Sequence, residues 1–189
     1  MSFILFRRAG GAVALIASML AAPAFAVDYV QAPGSSLAFA TKYQGEVFIG
    51  RLPGFVTTMR FDPKRLADAK LDVTIPLAQA TVEHPDGTDA LRGSDFFDAA
   101  RHPQARYTAT RFRALGSNRY AADGTLSLRG ASKPVTLEFT WTPGAKPVLT
   151  GRATVPRLAF GVGGGDWADT DLIPNDVAIS TRVNLAAAR

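Results

Sequence analysis

Apolar residues in this chain recur at every second position. Leu71, Val73, Ile75 and Leu77 alternate with Asp72, Thr74, Pro76 and Ala78. Leu126 and Leu128 flank Ser127, and Val135, Leu137, Phe139 and Trp141 alternate with Thr136, Glu138 and Thr140. Near the C-terminus Val177, Ile179, Val183 and Leu185 share their parity with Thr181. A strand turns successive side chains to opposite sides, so each run lays an apolar edge on one face and a polar edge on the other. That is the pattern of half-buried antiparallel strands. Weaker runs at 37–43, 55–62, 105–115, 119–122 and 149–160 extend it.

Turn chemistry separates the runs: Ala32-Pro33-Gly34-Ser35, Asp62-Pro63, Gly116-Ser117-Asn118 and Thr142-Pro143-Gly144. No helical pattern intervenes between strands, which excludes a parallel sheet. One or two helical turns are expected between Asp86 and Gly93. About eight or nine strands with no covering helices leave a sandwich or a barrel. The strands are long, and Gly45, Gly50, Gly54, Gly124 and Gly151 sit in or beside them, where glycine relieves a bend. Both features favour an all-β, single antiparallel up-and-down barrel of about eight strands with one or two short helical turns. Eight strands enclose an interior just wide enough for side chains or one small ligand.

The first 26 residues read differently. Arg7-Arg8, a short apolar run over 11–22 and Ala24-Phe25-Ala26 form a cleavable secretory signal peptide. The run is too short for the ~20 residues that span a bilayer. The expected domain is therefore 27–189, exported to the periplasm. The formal charge of +5 falls to +3 once Arg7 and Arg8 are removed, so the pI near 9.9 overstates the basicity. No Lys/Arg cluster interleaves with aromatics, which argues against nucleic acid.

Catalytic signatures are sparse. The chain has no cysteine, which excludes disulfides, thiolate metal sites and a Cys nucleophile. The two histidines, His84 and His102, stand beside prolines and far apart, without zinc spacing. Ser94 lacks the nucleophile-elbow glycines. Gly161-Val162-Gly163-Gly164-Gly165 is followed by Asp166 and no helix, so it reads as a linker or a loop over a barrel mouth. Asp166, Asp169, Asp171 and Asp176 lack the glycine and terminal glutamate of an EF-hand loop. No catalytic residue and no metal ligand is expected, and the chain does not read as an enzyme.

Several segments in order carry a resemblance. They are Leu37-Ala-Phe39-Ala-Thr-Lys-Tyr43-Gln-Gly45, Gly50-Arg51-Leu52, Met59-Arg-Phe61-Asp62-Pro63, Leu91-Arg92-Gly93-Ser94-Asp95-Phe96-Phe97-Asp98 and His102-Pro103-Gln-Ala105-Arg-Tyr107. Gly124-Thr-Leu126-Ser-Leu128-Arg129-Gly130, Lys133-Pro134-Val135-Thr-Leu137 and Arg157-Leu-Ala-Phe160-Gly161-Val-Gly163 follow, then Trp167. Together they resemble the YceI-like family of polyisoprenoid-binding periplasmic proteins over essentially all of 28–187. The family often has His where this chain has Tyr43, and Gly-Arg-Phe where it has Gly50-Arg51-Leu52. The resemblance implies a lipocalin-like barrel whose long apolar lumen holds an isoprenoid chain, such as a polyprenyl or quinone tail, non-covalently. It implies no covalent cofactor. A membrane or membrane protein would be donor or acceptor. Monomer and homodimer stay open.

Strand parity and motif position together place Phe39, Met59, Phe61, Leu71, Val73, Ile75, Leu126, Leu128, Val135, Leu137, Phe139, Val177 and Ile179 on the lumen wall. Leu91, Phe96, Phe97 and Phe160 are expected to close its ends. Tyr43 is expected to offer a hydrogen bond, and Arg157 and Trp167 to meet a polar head at the mouth. Two other readings stand beside this one. In one, a filled-core barrel acts as a stress-response or structural interaction module. In the other, a hydrolase uses Ser94 or His102.

Overall fold

The computed structural model describes residues 27–83 and 85–188. The expected export segment at 1–26 and His84 lie outside the described residues. The strands are β1 (Val27–Gln31), β2 (Ser36–Tyr43), β3 (Glu46–Arg51), β4 (Val56–Phe61), β5 (Lys70–Pro76), β6 (Thr81–Val82), β7 (Gln104–Gly116), β8 (Arg119–Leu128), β9 (Ala131–Thr142), β10 (Val148–Pro156) and β11 (Asp176–Ala187). One α-helix, α1 (Pro85–Arg92), lies where the helical turns were expected.

All eleven strands belong to one sheet, and the pairing β1–β11 closes it. The register reduces them to eight staves. β1 and β2 run in the same direction along β11, which pairs Gln31 with Leu185 and Ser36 with Arg182. They are one stave broken at Pro33-Gly34. β4 and β3 likewise lie beside β1 and β2, with the break at Pro53-Gly54. β5 and β6 lie beside β4 and β3, with the break after Pro76. β7 to β11 complete an up-and-down ring in which each strand pairs with the next.

The Ala32–Ser35 segment, read from sequence as a turn between strands, is therefore a kink within one stave. The cause is local. Proline brings no amide to the ladder, and Gly34 and Gly54 take φ of +83° and +71°. Reversals use two-residue loops with both central φ values positive: Gln44-Gly45, Ser117-Asn118 and Arg129-Gly130. Such loops match the twist of the strands they join. The run expected at 149–160 stops as a strand at Pro156, and 157–160 form a 3-10 turn.

Ring size divides the interior. At one end Phe61, 1% exposed, touches Trp141 (ring centroids 4.8 Å), Tyr120 (5.1 Å), Phe139 (5.6 Å) and Phe112 (6.0 Å), and Tyr29 stacks edge-on to Trp141 at 5.5 Å. Each such pair adds about 0.5–1.5 kcal/mol beyond its buried area. This aromatic plug fills its half of the barrel. Toward the other end the inward positions are mainly Leu, Val, Ile and Ala, whose side chains stop short of the axis.

Candidate functional site

The aliphatic half encloses a cavity of about 340 Å³, within the usual range for small-molecule sites. Phe39, Thr41 and Tyr43 of β2, Phe48 of β3 and Thr57 of β4 form one wall. Leu71, Val73 and Ile75 of β5 and Ala105 and Tyr107 of β7 continue it. Leu126 and Leu128 of β8, Val135 and Leu137 of β9 and Leu149, Ala153 and Val155 of β10 form the next part. Val177, Ile179, Thr181 and Val183 of β11 complete it. Along β11 this lining covers six residue steps, or ~20 Å of strand. Val73, Val177 and Ile179 face inward yet are only half-buried, because the hollow leaves their side chains uncovered. The cavity reaches the surface beside the β2–β3 hairpin and α1, where its lining residues Lys42, Tyr43 and Ala90 are exposed.

Two cap segments fold over this end. The first, α1 with residues 93–103, brings Leu91, Phe96 and Phe97 to the cavity. The second, 157–175, brings Val162, Trp167 and Ile173. The glycine-rich stretch is thus a cap rather than a linker. Gly161, Gly163 and Gly165 take φ of +68°, +61° and +58°, and the Gly163 amide donates to the Asp95 carbonyl at 2.7 Å. Trp167 stacks near Phe96 (5.6 Å) and Tyr43 (6.5 Å), and its Nε1 donates to an Asp95 carboxylate oxygen at 3.3 Å.

Two arginines hold the caps. Arg157 is 3% exposed and reaches no carboxylate among the described residues. Its guanidinium donates instead to the carbonyls of Pro174 (3.2 Å), Val162 (3.1 Å), Gly163, Trp167 (2.9 Å), Asp169 (3.5 Å) and Ile173 (2.7 Å). Burial lowers its pKa from the ordinary arginine value. Arg129 donates to the carbonyls of Ser94, Asp95, Phe96 and Gly161, so it clips one cap to the other.

Most residues singled out from sequence meet around this cavity: Phe39, Tyr43, Leu71, Val73, Ile75, Leu91, Phe96, Phe97, Leu126, Leu128, Val135, Leu137, Arg157, Trp167, Val177 and Ile179. Four do not line it. Phe61 and Phe139 belong to the aromatic plug, and Met59, 2% exposed, is buried on β4 between Tyr29 and Leu71 of the neighbouring strands. Phe160 packs into the core from the 3-10 turn. Strand parity assigns a face correctly but not a height along the barrel. Arg157 also departs from its expected role, because backbone carbonyls occupy its donors. The sequence reading missed the contributions of Phe48, Leu52, Phe55, Tyr107, Leu149 and Val183 to the lining. The same period-two parity in β7, β10 and β11 carries the signal for Tyr107, Leu149 and Val183.

The polar atoms of the lining are few. The Tyr107 hydroxyl donates to the carbonyl of Ala122 (2.7 Å), with that of Val135 at 3.2 Å, and burial pushes its pKa well up. The Oγ1 atoms of Thr41 and Thr57 are buried without a hydrogen-bond partner. Among the described residues no group of three or more His, Asp or Glu side chains could hold a metal ion. Ser94 is exposed, its hydroxyl 3.5 Å from its neighbour Asp95. A second hollow, of about 480 Å³, is bounded by Asp28, Arg60, Lys70 and Asp72, with Arg60 already paired to Asp28 at 2.7 Å.

The comparisons with known proteins agree with this architecture. The crystal structure of BcnA from Burkholderia cenocepacia superposes with a TM-score of 0.77 at 28% identity, covering 81% of this chain and 96% of that one. A polyisoprenoid binding domain from Saccharophagus degradans, implicated in plant cell wall breakdown, shares the fold at TM-score 0.64 and 13% identity, over 86% of this chain and 99% of the other. A UPF0312 protein of Vibrio campbellii is 32% identical over 127 residues, 65% of this chain and 67% of its own length. The YceI-like domain model matches residues 29–185, from the first stave to the last. A match of that span, on a closed barrel of this topology, means that the chain belongs to the YceI-like family.

Proposed function

We propose that the protein is a carrier for an isoprenoid lipid, a polyprenyl or quinone tail, held non-covalently in the lumen. The observation that carries the reading is a hollow, apolar half-barrel whose buried cation is already satisfied by carbonyls. A prenyl chain has no charge and no hydrogen-bonding group along its length. It needs only an apolar tube, and each buried methylene contributes ~0.8 kcal/mol. The name of the Saccharophagus neighbour, a polyisoprenoid binding domain, supports the same ligand class. No bond need be made or broken, so the reading assigns no catalytic residue and no covalent cofactor. The signal-like N-terminus supports a periplasmic location for the carrier, with a membrane or membrane protein as donor and acceptor. A filled-core interaction module fits less well, because only the aromatic half of the barrel is filled.

The test is organic extraction of protein purified from its native host, followed by mass spectrometry, beside titration with a fluorescent farnesyl probe. A prenyl lipid in the extract and saturable probe uptake are expected. Lipid-free extracts from well-folded protein, together with no probe uptake, would overturn the proposal.

A further inference from the structure

We propose that the β2–β3 hairpin docks the cavity mouth onto an anionic membrane surface. The inference rests on the carrier reading, since a lipid cargo must enter from a bilayer, and it names the surface that would meet it. Val47 is 69% exposed, Ile49 54% and Tyr43 40%, an unusual grouping of large apolar side chains in water. Val47 and Ile49 sit on the outer face of β3, opposite Lys42 and Ala40 of β2. Tyr43 and Phe48 of the same hairpin line the cavity. The exposed tip and the entrance are therefore one piece of chain. Among the described residues no further strand pairs with β3 beside Glu46–Ile49, because β6 reaches only Gly50 and Arg51.

Charge marks the same face. Arg51 follows Val47 and Ile49 in parity, and the register row Arg152–Ser180–Ala38–Arg51 carries positive charge across the outer surface of β10, β11, β2 and β3. Arg182 lies opposite Ser36 on that surface. Among the described residues Lys42, Arg51, Arg152 and Arg182 have no carboxylate within ion-pair distance. The acids nearby are Glu46, Glu138 and Asp176 in the strand register, Glu83 just after β6, and Asp171 beside Leu172, whose carbonyl accepts from the Gln44 amide at 3.1 Å; none closes an ion pair with these cations. Elsewhere on the barrel several arginines are matched, Arg60 by Asp28, Arg106 by Asp72, and Arg111 and Arg113 by Asp123, while Lys70, Arg119 and Lys133 close no ion pair among the described residues.

Lys42 level with Val47, and the Arg51–Arg152 row two residues beyond Ile49, set unmatched cations behind a small aliphatic tip, which suits lipid phosphates around an acyl boundary. The outward apolar tip is two side chains, Val47 and Ile49, whereas a stable protein interface takes about 20–30 residues a side. Single signals bind membranes weakly, and this face combines two, an apolar tip and a basic surround.

The experiment is cosedimentation of the protein with phosphatidylethanolamine–phosphatidylglycerol vesicles and with phosphatidylcholine vesicles. The wild type should bind the anionic vesicles, less at high salt, and the neutral ones poorly. Val47→Ser/Ile49→Ser should weaken that binding about tenfold. Arg51→Gln/Arg152→Gln should weaken it about fivefold per cation removed. Both variants should take up the farnesyl probe from water as the wild type does, because these side chains lie outside the lumen. Variants that bind anionic vesicles like the wild type would overturn the proposal. So would hairpin variants that change only self-association in gel filtration, which would make the face an interface between two copies. A wild type that docks on vesicles but takes up no probe would sink the carrier reading and leave the docking face standing.

Discussion

Gly50→Ala tests how the lumen wall is built. Phe39 lies directly across the ladder from Gly50, and its ring covers the glycine. A Cβ on residue 50 would fall 2.1 Å from Cε1 and Cζ and 2.9 Å from Cε2 of that ring. Carbon atoms rest at roughly 3.5–4.0 Å, so the ring must withdraw by about 1.5 Å. Phe48 and Phe97, with ring centroids 6.4 and 6.2 Å away, crowd it laterally. The free direction is into the cavity. Overpacking of this kind costs ~1–3 kcal/mol. Replacing a strand glycine returns ~0.5–1 kcal/mol through the unfolded chain. A net loss of about 0.5–2 kcal/mol should lower Tm by roughly 1–8 °C for a domain of this size.

The displaced ring should affect ligand more than fold. If it takes the place of two or three ligand carbons, at ~0.8 kcal/mol each, probe affinity falls about thirtyfold. Thermal melts and farnesyl-probe titrations read the two effects separately. The double variant Gly50→Ala/Phe39→Leu removes the clash and should regain stability and affinity relative to Gly50→Ala alone, a non-additive coupling. Unchanged Tm and affinity in Gly50→Ala would refute the reasoning. So would losses that Phe39→Leu fails to relieve.

Two further outcomes follow from the charged groups. Arg157→Met should destabilise the protein by at least ~3 kcal/mol, because several buried cap carbonyls lose their donor at once. Arg157→Lys should recover only part of that, since an ammonium has three donors and no planar fork; denaturant titration and limited proteolysis within 161–175 read both variants. Asp123 accepts from Arg113 (2.8 and 3.0 Å) and Thr136 (2.9 Å) and lies 3.2 Å from Arg111, and these contacts, that to Arg113 first, hold its pKa far below the ordinary carboxylate value. Its contribution is therefore full above the unfolded value of about 4 and is lost as pH falls toward the folded one. Asp123→Asn should be less stable than wild type at neutral pH, and the two should converge in strong acid; a difference that stays constant with pH would exclude this assignment.

Much of the fold is legible along the chain because strand physics is local. The alternation at Leu71–Leu77 and at Val135–Trp141 fixes which side chains share a face, whatever the rest of the protein does. Ser117-Asn118 announces its hairpin because those residues tolerate positive φ. Pro33-Gly34 announces only a bend. Whether the next strand folds back or continues depends on β11, more than 140 residues away, which holds β1 and β2 end to end.

Position along the barrel axis is likewise not a local property. Val135, Leu137 and Phe139 have one parity and one face, yet the first two line the cavity and the third is buried in the plug. Ring closure and strand stagger set that height, by bringing Phe61, Phe112, Tyr120, Phe139 and Trp141 from four different strands to the same level. Arg157 shows the same division. An arginine after a strand looks free to meet a ligand, and only the folding of 161–175 around its guanidinium turns it into a structural post. The chain by itself determined an amphipathic antiparallel meander, because side-chain alternation and turn residues act over a few positions. Tertiary closure decided where that meander is solid and where it is hollow, because packing of rings across the bore joins residues that the sequence keeps far apart.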